Sequence, residues 1–123
     1  MDNVRVLIAD DNILFARMLQ SILEDDDRFE VVGRAKDGVE AVELAESLHP
    51  DVVLMDITMP RLDGLAATRR LRELGSPAHV VVLTESDFAS DVIRAERAGA
   101  DGYVPKTRIA PRLRDAILQA ADS

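Results

Sequence analysis

Two uninterrupted apolar runs, Val52-Val-Leu-Met55 and Val80-Val-Val-Leu83, restrict what this chain can fold into. Turn signals bound them: His49-Pro50 and Met59-Pro60 around the first, Gly75-Ser76-Pro77 before the second. A run that is apolar at every position offers both of its faces to a core, which suits a strand inside a parallel sheet and not a half-solvated one. The first run lies in a strand read over Asp51 to Asp56 and ends on a carboxylate; the second, His79 to Thr84, ends on a hydroxyl. An unpaired carboxylate is not tolerated in an apolar core, so Asp56 emerges where its strand meets the following loop, the place where open α/β sheets hold ligands. On this stretch alone, a cap for the next turn explains Asp56 equally well.

The remaining elements fit around these two strands. Val4 to Ala9 is a short β-rich run that ends in Asp10-Asp11-Asn12, after which Phe15, Met18, Leu19, Ile22 and Leu23 recur at helical spacing. Phe29 to Ala35 predicts a second strand, less apolar and therefore a candidate edge. Asp37 opens a helix with Glu40 three residues on, the pattern of a capping box, and Ala41, Val42, Ala45 and Leu48 form its buried stripe. Gly64, Ala67, Thr68, Leu71 and Leu74 trace the inner face of a third helix; a fourth, from about Asp87 to Ala98, carries Phe88, Val92 and Ala95. Gly102 to Pro105 is a short strand whose proline suits an edge, and Pro111 fits the first turn of a last helix with Leu113, Ala116, Ile117 and Ala120 inside. Strand and helix alternate five times without linker or repeat, which calls for a doubly wound α/β fold. Right-handed crossovers and the relative apolarity of the strands favour a flavodoxin-like order, 2-1-3-4-5.

Bulk properties narrow the function. At 123 residues the chain makes one domain, large enough to bury roughly two-thirds of its unfolded surface. The lack of cysteine excludes disulfides and thiolate metal sites. No apolar run has the length of a membrane span, and residues 1 to 9 lack a signal-peptide core, so a cytoplasmic protein without membrane association is expected. A net charge of −8 argues against nucleic-acid binding by this chain and favours proteins or cations as partners. Lys106, Arg108, Arg112 and Arg114 crowd one segment, where a solvated helix face is the plain reading, and Asp25-Asp26-Asp27 reads as a solvated loop. His49 and His79 stand alone at strand entries and suit surface or capping roles.

The order 2-1-3-4-5 gathers Asp10, Asp11, Asp56, Thr84 and Lys106 at one edge of the sheet. Two carboxylates about 4 Å apart repel by roughly 1 kcal/mol in water and about 4 kcal/mol at an effective dielectric of 20, so positive charge has to compensate. A hard divalent cation, Mg²⁺ or Mn²⁺, matches an all-oxygen donor set, and Lys106 supplies a further positive charge. With no cysteine and no histidine nearby, zinc does not fit.

The acidic pair Asp10-Asp11, the strand ending in Asp56, Met59-Pro60 with Asp63-Gly64, Thr84, and Tyr103 followed by Lys106 occur in an order that resembles the receiver domain of two-component response regulators, over the whole length. The wording Asp63-Gly-Leu-Ala-Ala-Thr-Arg-Arg-Leu-Arg72 is most similar to NarL/FixJ-type transcriptional regulators, whose receivers precede a helix-turn-helix domain. The resemblance implies a (βα)5 three-layer sandwich over residues 1–123, with the effector domain expected to be absent from this chain. It implies that Asp56 accepts a phosphoryl group from a sensor histidine kinase and that Asp10, Asp11, Asp56 and the backbone carbonyl of Thr58 hold the metal. Lys106 and Thr84 would contact phosphoryl oxygens, and Thr84 and Tyr103 would act as a switch towards the protein's own DNA-binding effector domain or a homodimer partner. An ordinary edge-strand aromatic is the alternative for Tyr103. The activity implied is that of a phosphoacceptor signalling domain with self-catalysed phosphorylation and dephosphorylation, not of an enzyme acting on other substrates.

Three positions depart from the family pattern: Glu85 where a small residue is usual, Pro105 before Lys106, and Thr107 after it. Three other functions compete. A metal-dependent phosphohydrolase with an Asp nucleophile needs a second Asp two residues on, where this chain has Thr58. A flavin module of the same fold would face phosphate with Asp10-Asp11. A degenerate receiver acting only as a docking module finds its best support in Glu85.

Overall fold

A computed structural model describes residues 3–85 and 89–122. Strands and helices alternate as β1 (Val4–Ala9), α1 (Ile13–Glu24), β2 (Phe29–Ala35), α2 (Gly38–Leu48), β3 (Val52–Asp56), α3 (Gly64–Glu73), β4 (His79–Thr84), α4 (Ala89–Ala98), β5 (Gly102–Pro105) and α5 (Ile109–Ala121), with a 3₁₀ turn at Lys106–Arg108. All strand pairs are parallel, and the sheet order is β2-β1-β3-β4-β5. The weaker strands β2 and β5 are the edges, as their composition predicts. Among the described residues, no helix is long and apolar enough to cross a membrane.

Alternation along the strands divides the core into two layers. Leu7, Ala9, Val53, Met55, Val80 and Val82 pack with the inner faces of α2, α3 and α4. Val6, Ile8, Val52, Leu54, Val81, Leu83 and Val104 pack with α1 and α5. Every residue of β3 is buried, so the apolar run has core on both sides. Fully burying each Leu, Val or Met contributes roughly 1.5–3 kcal/mol, which makes β3 and β4 the rigid centre from which the loops project.

The helical stripes are narrower than their periodicity predicts. Met18 and Leu74 are exposed, the first at the margin of the α1 stripe and the second as the C-cap of α3. Asp87 and Phe88 lie outside the described residues; α4 is described from Ala89, and its Ala95 is buried. The capping box at α2 is half made. Asp37 accepts from the Glu40 amide at 2.8 Å, but Glu40 Oε1 accepts from the Lys36 amide, at 3.3 Å, and not from that of Asp37. His49 closes α2 in a left-handed conformation, and its carbonyl accepts from Arg5. His79 sits at the entry of β4 with Nδ1 3.4 Å from Asp101.

The loop from β3 to α3 is fixed by a close approach. Gly64 donates its N–H to the Ile57 carbonyl at 2.8 Å, and a Cβ at Gly64 would collide with the backbone carbonyl of Asp56. Gly75, by contrast, has positive φ and open space around it. Gly64→Ala should therefore lose about 2 kcal/mol or more through overpacking, and Gly75→Ala about 1 kcal/mol through backbone strain alone. Urea unfolding of the two variants measures this; equal losses would show that the approach of Gly64 to Asp56 is not a tight one.

Candidate functional site

The carboxyl ends of β1, β3, β4 and β5 meet at one rim. Asp10, directly after β1, anchors its backbone by donating to the Ala35 carbonyl at 3.0 Å. Its Oδ1 accepts from the Asn12 amide at 2.8 Å, and Asn12 in turn caps α1 by accepting from the Phe15 amide at 3.0 Å. The turn that starts α1 thus also aims the Asp10 carboxylate. Asp56 is the last residue of β3, and its Oδ1 accepts from the Thr58 amide at 3.3 Å. Lys106, the first residue after β5, places Nζ 3.0 Å from Asp10 Oδ2, 3.4 Å from Asp56 Oδ2 and 3.5 Å from Glu85 Oε1. The Phe15 ring lies beside the same ammonium, its centroid 4.5 Å from Nζ.

The carboxylates of Asp10, Asp11 and Asp56 each offer an oxygen within 4.8 Å of the others; Asp10 and Asp56 are buried and Asp11 is exposed. Burial, followed by the charge of Asp10, pushes the Asp56 carboxyl up to about 6 against the opposing pull of Lys106 and the Thr58 amide. Burial also works against the Lys106 ammonium, but Asp10, Asp56 and Glu85 outweigh it and raise its pKa, so the ammonium stays charged. Asp10 Oδ2 is buried without a hydrogen bond, since the approach of Lys106 has the distance of an ion pair but not hydrogen-bond geometry. A buried carboxylate oxygen held by an ion pair with Lys106, beside two further carboxylates, fits a hard cation with oxygen ligands.

Other residues singled out from the sequence fall as follows. Thr84 is buried at the end of β4, in register with Pro105 of β5. Thr58 is exposed in the loop after Asp56. Tyr103 is half-buried in β5 and lines a cavity of about 50 Å³ with Val92, Ala95, Glu96 and Ala100. The basic cluster disperses: Lys106 turns into the rim, whereas Arg114 reaches back to Asp26 at 3.6 Å and the Ile22 carbonyl at 3.4 Å. Asp26 pairs with Arg28 at 2.6 Å, which holds its carboxyl down at about 2, and the acidic run Asp25 to Asp27 joins no metal cluster among the described residues.

Two side chains take a part in the site that sequence periodicity does not assign. Phe15 reads as one member of the α1 stripe, yet it is the only aromatic on that stripe and lies on the first helical turn after the acidic pair. Glu85, a departure from pattern by sequence, is an ion-pair partner of Lys106 in the structure. Nearby, Arg61 donates to both carboxylate oxygens of Asp37, at 3.0 and 3.2 Å, and lowers the Asp37 pKa. That pair ties the loop after Asp56 to the start of α2, where a Cβ at Gly38 would also collide with the Leu62 carbonyl.

Residues 6–118 match the family described as response regulator receiver domain. The chain is 40% identical over 113 residues to the chemotaxis protein CheY of Halobacterium salinarum, covering 92% of each chain. It is 41% identical over 117 residues to the nitrate/nitrite response regulator protein NarP of Escherichia coli, covering 95% of this chain and 54% of that protein, so it spans about half of that relative's length. A solved receiver domain assigned to NarL of Mycobacterium tuberculosis superposes with a TM-score of 0.95 at 32% identity, covering 100% of this chain and 99% of that one.

The raised pKa of Asp56 sets a pH dependence. With its folded pKa at about 6 and an ordinary unfolded value near 4, the native state binds more protons between those values, so stability falls as pH rises through that window. The penalty is complete above it and absent below about pH 4. Asp56→Asn should therefore stabilise the fold by about 1–2 kcal/mol near pH 7.5 without divalent cations, with the gain fading on acidification. Urea unfolding across this range tests it; a gain that does not change with pH would assign the effect to something other than the charge of Asp56.

Proposed function

The chain belongs to the response regulator receiver family, and from that premise we propose that Asp56 accepts a phosphoryl group from a histidine kinase in a Mg²⁺-dependent reaction. The observation that carries this reading is the position of Asp56: buried at the carboxyl end of β3, beside two more carboxylates, with an ammonium 3.4 Å away. Above a pH of about 6 its carboxylate is ionised and nucleophilic. An Asp56 oxygen forms a bond to phosphorus as the bond from phosphorus to the donor imidazole breaks; the nitrogen keeps the electron pair, and the ring leaves neutral when its other nitrogen is protonated.

The groups at the rim complement the charge of the loose transition state expected for such a transfer. Lys106 leaves its carboxylate partners for a phosphoryl oxygen, and Thr84 donates its hydroxyl to another. When bound at Asp10, Asp11, Asp56 and the Thr58 carbonyl, Mg²⁺ or Mn²⁺ supplies positive charge against both the carboxylates and the phosphoryl oxygens. Residues 1–123 act as the receiver, and in a longer protein a C-terminal DNA-binding domain reads out its state. The signal is an altered surface over α4, β5 and α5, produced as Thr84 is drawn towards the phosphoryl group and leaves room for Tyr103 to turn inwards. Work on proteins in a transcriptional pathway fits a cytoplasmic location and, with a net charge of −8, no direct DNA contact by this domain.

Incubation with a small phosphodonor and Mg²⁺ should add the mass of one phosphoryl group, labile to hydroxylamine and lost in Asp56→Asn. A mass shift that survives the substitution would move the acceptor elsewhere. Mg²⁺ at about ten times its Kd should stabilise the parent by roughly 1.4 kcal/mol, visible as a rise in Tm. An equal rise in Asp11→Asn would remove Asp11 from the metal site.

A further inference from the structure

Lys106 is shared. Two of its anionic partners, Asp10 and Asp56, lie inside the rim, while the third, Glu85, stands directly after β4 with its side chain 77% exposed. Before the ammonium can meet an incoming phosphoryl oxygen it has to give up part of this contact, and the outer carboxylate faces the path by which a donor arrives. Resting on the receiver reading, we propose that Glu85 gates the site by charge, competing with the phosphoryl group for Lys106 and selecting against free dianionic phosphodonors. The position of Glu85 gives the same sign twice. Its contact with Lys106 occupies the cation that the donor needs, and its own charge repels the donor at the mouth.

Acetyl phosphate and phosphoramidate separate the charge effect from a steric one. Both transfer phosphorus to an Asp56 oxygen, acetate leaving with the electron pair of the broken P–O bond and ammonia with that of the broken P–N bond, its nitrogen already protonated. The first donor is a dianion near neutral pH and the second a net monoanion.

Initial rates of the mass increase, measured with Mg²⁺ for the parent, Glu85→Gln and Glu85→Lys, test the proposal. With partial screening by salt, neutralising one charge about 6 Å from the reacting group should accelerate acetyl phosphate about fivefold and phosphoramidate about twofold. Both gains should shrink at high salt, and Glu85→Lys should exceed Glu85→Gln. Equal acceleration with the two donors, independent of salt, would make Glu85 a steric obstacle and overturn the gate, as would rates in Glu85→Gln that match the parent. If the folded parent, Glu85→Gln and Glu85→Lys all take no phosphate from either donor, the acceptor role of Asp56 and the gate fall together, whereas a phosphorylated parent with donor-independent ratios overturns the gate alone.

Discussion

Carboxylates forced together at the rim of the sheet, and the single ammonium held among them, are the constraint on which the rest of the molecule depends. Nothing in the local chemistry of Asp10, Asp11 and Asp56 favours their proximity; the burial of β1 and β3 on both faces imposes it. A domain of this size is stable by only about 5–15 kcal/mol, so a site that costs a few kcal/mol is sustained because the apolar strands beneath it are continuous and well covered. The same balance makes the acidic rim a favourable place for a cation. Positive charge there relieves a repulsion that the fold has already built in.

The parts of this arrangement that were legible in the sequence are those that the core dictates. Val52 to Met55 and Val80 to Leu83 identify the central strands, the strand order follows from their apolarity, and the order brings Asp56, Asp10 and Lys106 to one edge. Less legible were features that depend on where a side chain ends and not on where it starts. Helical spacing says which side of α1 faces inwards, but the stripe is broad enough that Met18 at its margin reaches solvent. Glu40 had the spacing of a capping-box residue, yet its Oε1 accepts from the Lys36 amide, and Arg61, which lies twenty-four residues beyond Asp37, also donates to both oxygens of the Asp37 carboxylate. Phe15 and Glu85 meet Lys106 only because the start of α1, the loop after β4 and the turn after β5 converge, and no local pattern encodes such a meeting.

Asp101 shows the same principle away from the rim. Its carboxylate accepts from the Val80 amide at 2.8 Å and from Arg72 at 3.2 Å, while Arg72 also donates to the carbonyls of Gly99 and Ser76. One half-exposed pair thereby links the ends of α3 and α4 to the start of β4, at the end of the sheet opposite the rim. The backbone groups left over where elements stop are satisfied by side chains from elsewhere in the sequence, and this closes the lower end of the domain.

The closure at Gly64 gives the domain a mechanical asymmetry. On one side of Asp56, the backbone of α3 rests against the carbonyl of Asp56 itself, and the loop between them is fastened to α2 through Arg61 and Asp37. On the other side stands a four-residue edge strand, with a partly buried tyrosine next to empty volume. Stiffness is therefore distributed unevenly about the point where charge would change. A side chain at residue 64 would wedge the start of α3 away from the carbonyl of Asp56, so the absence of a single methyl group is what lets the two backbones close on each other.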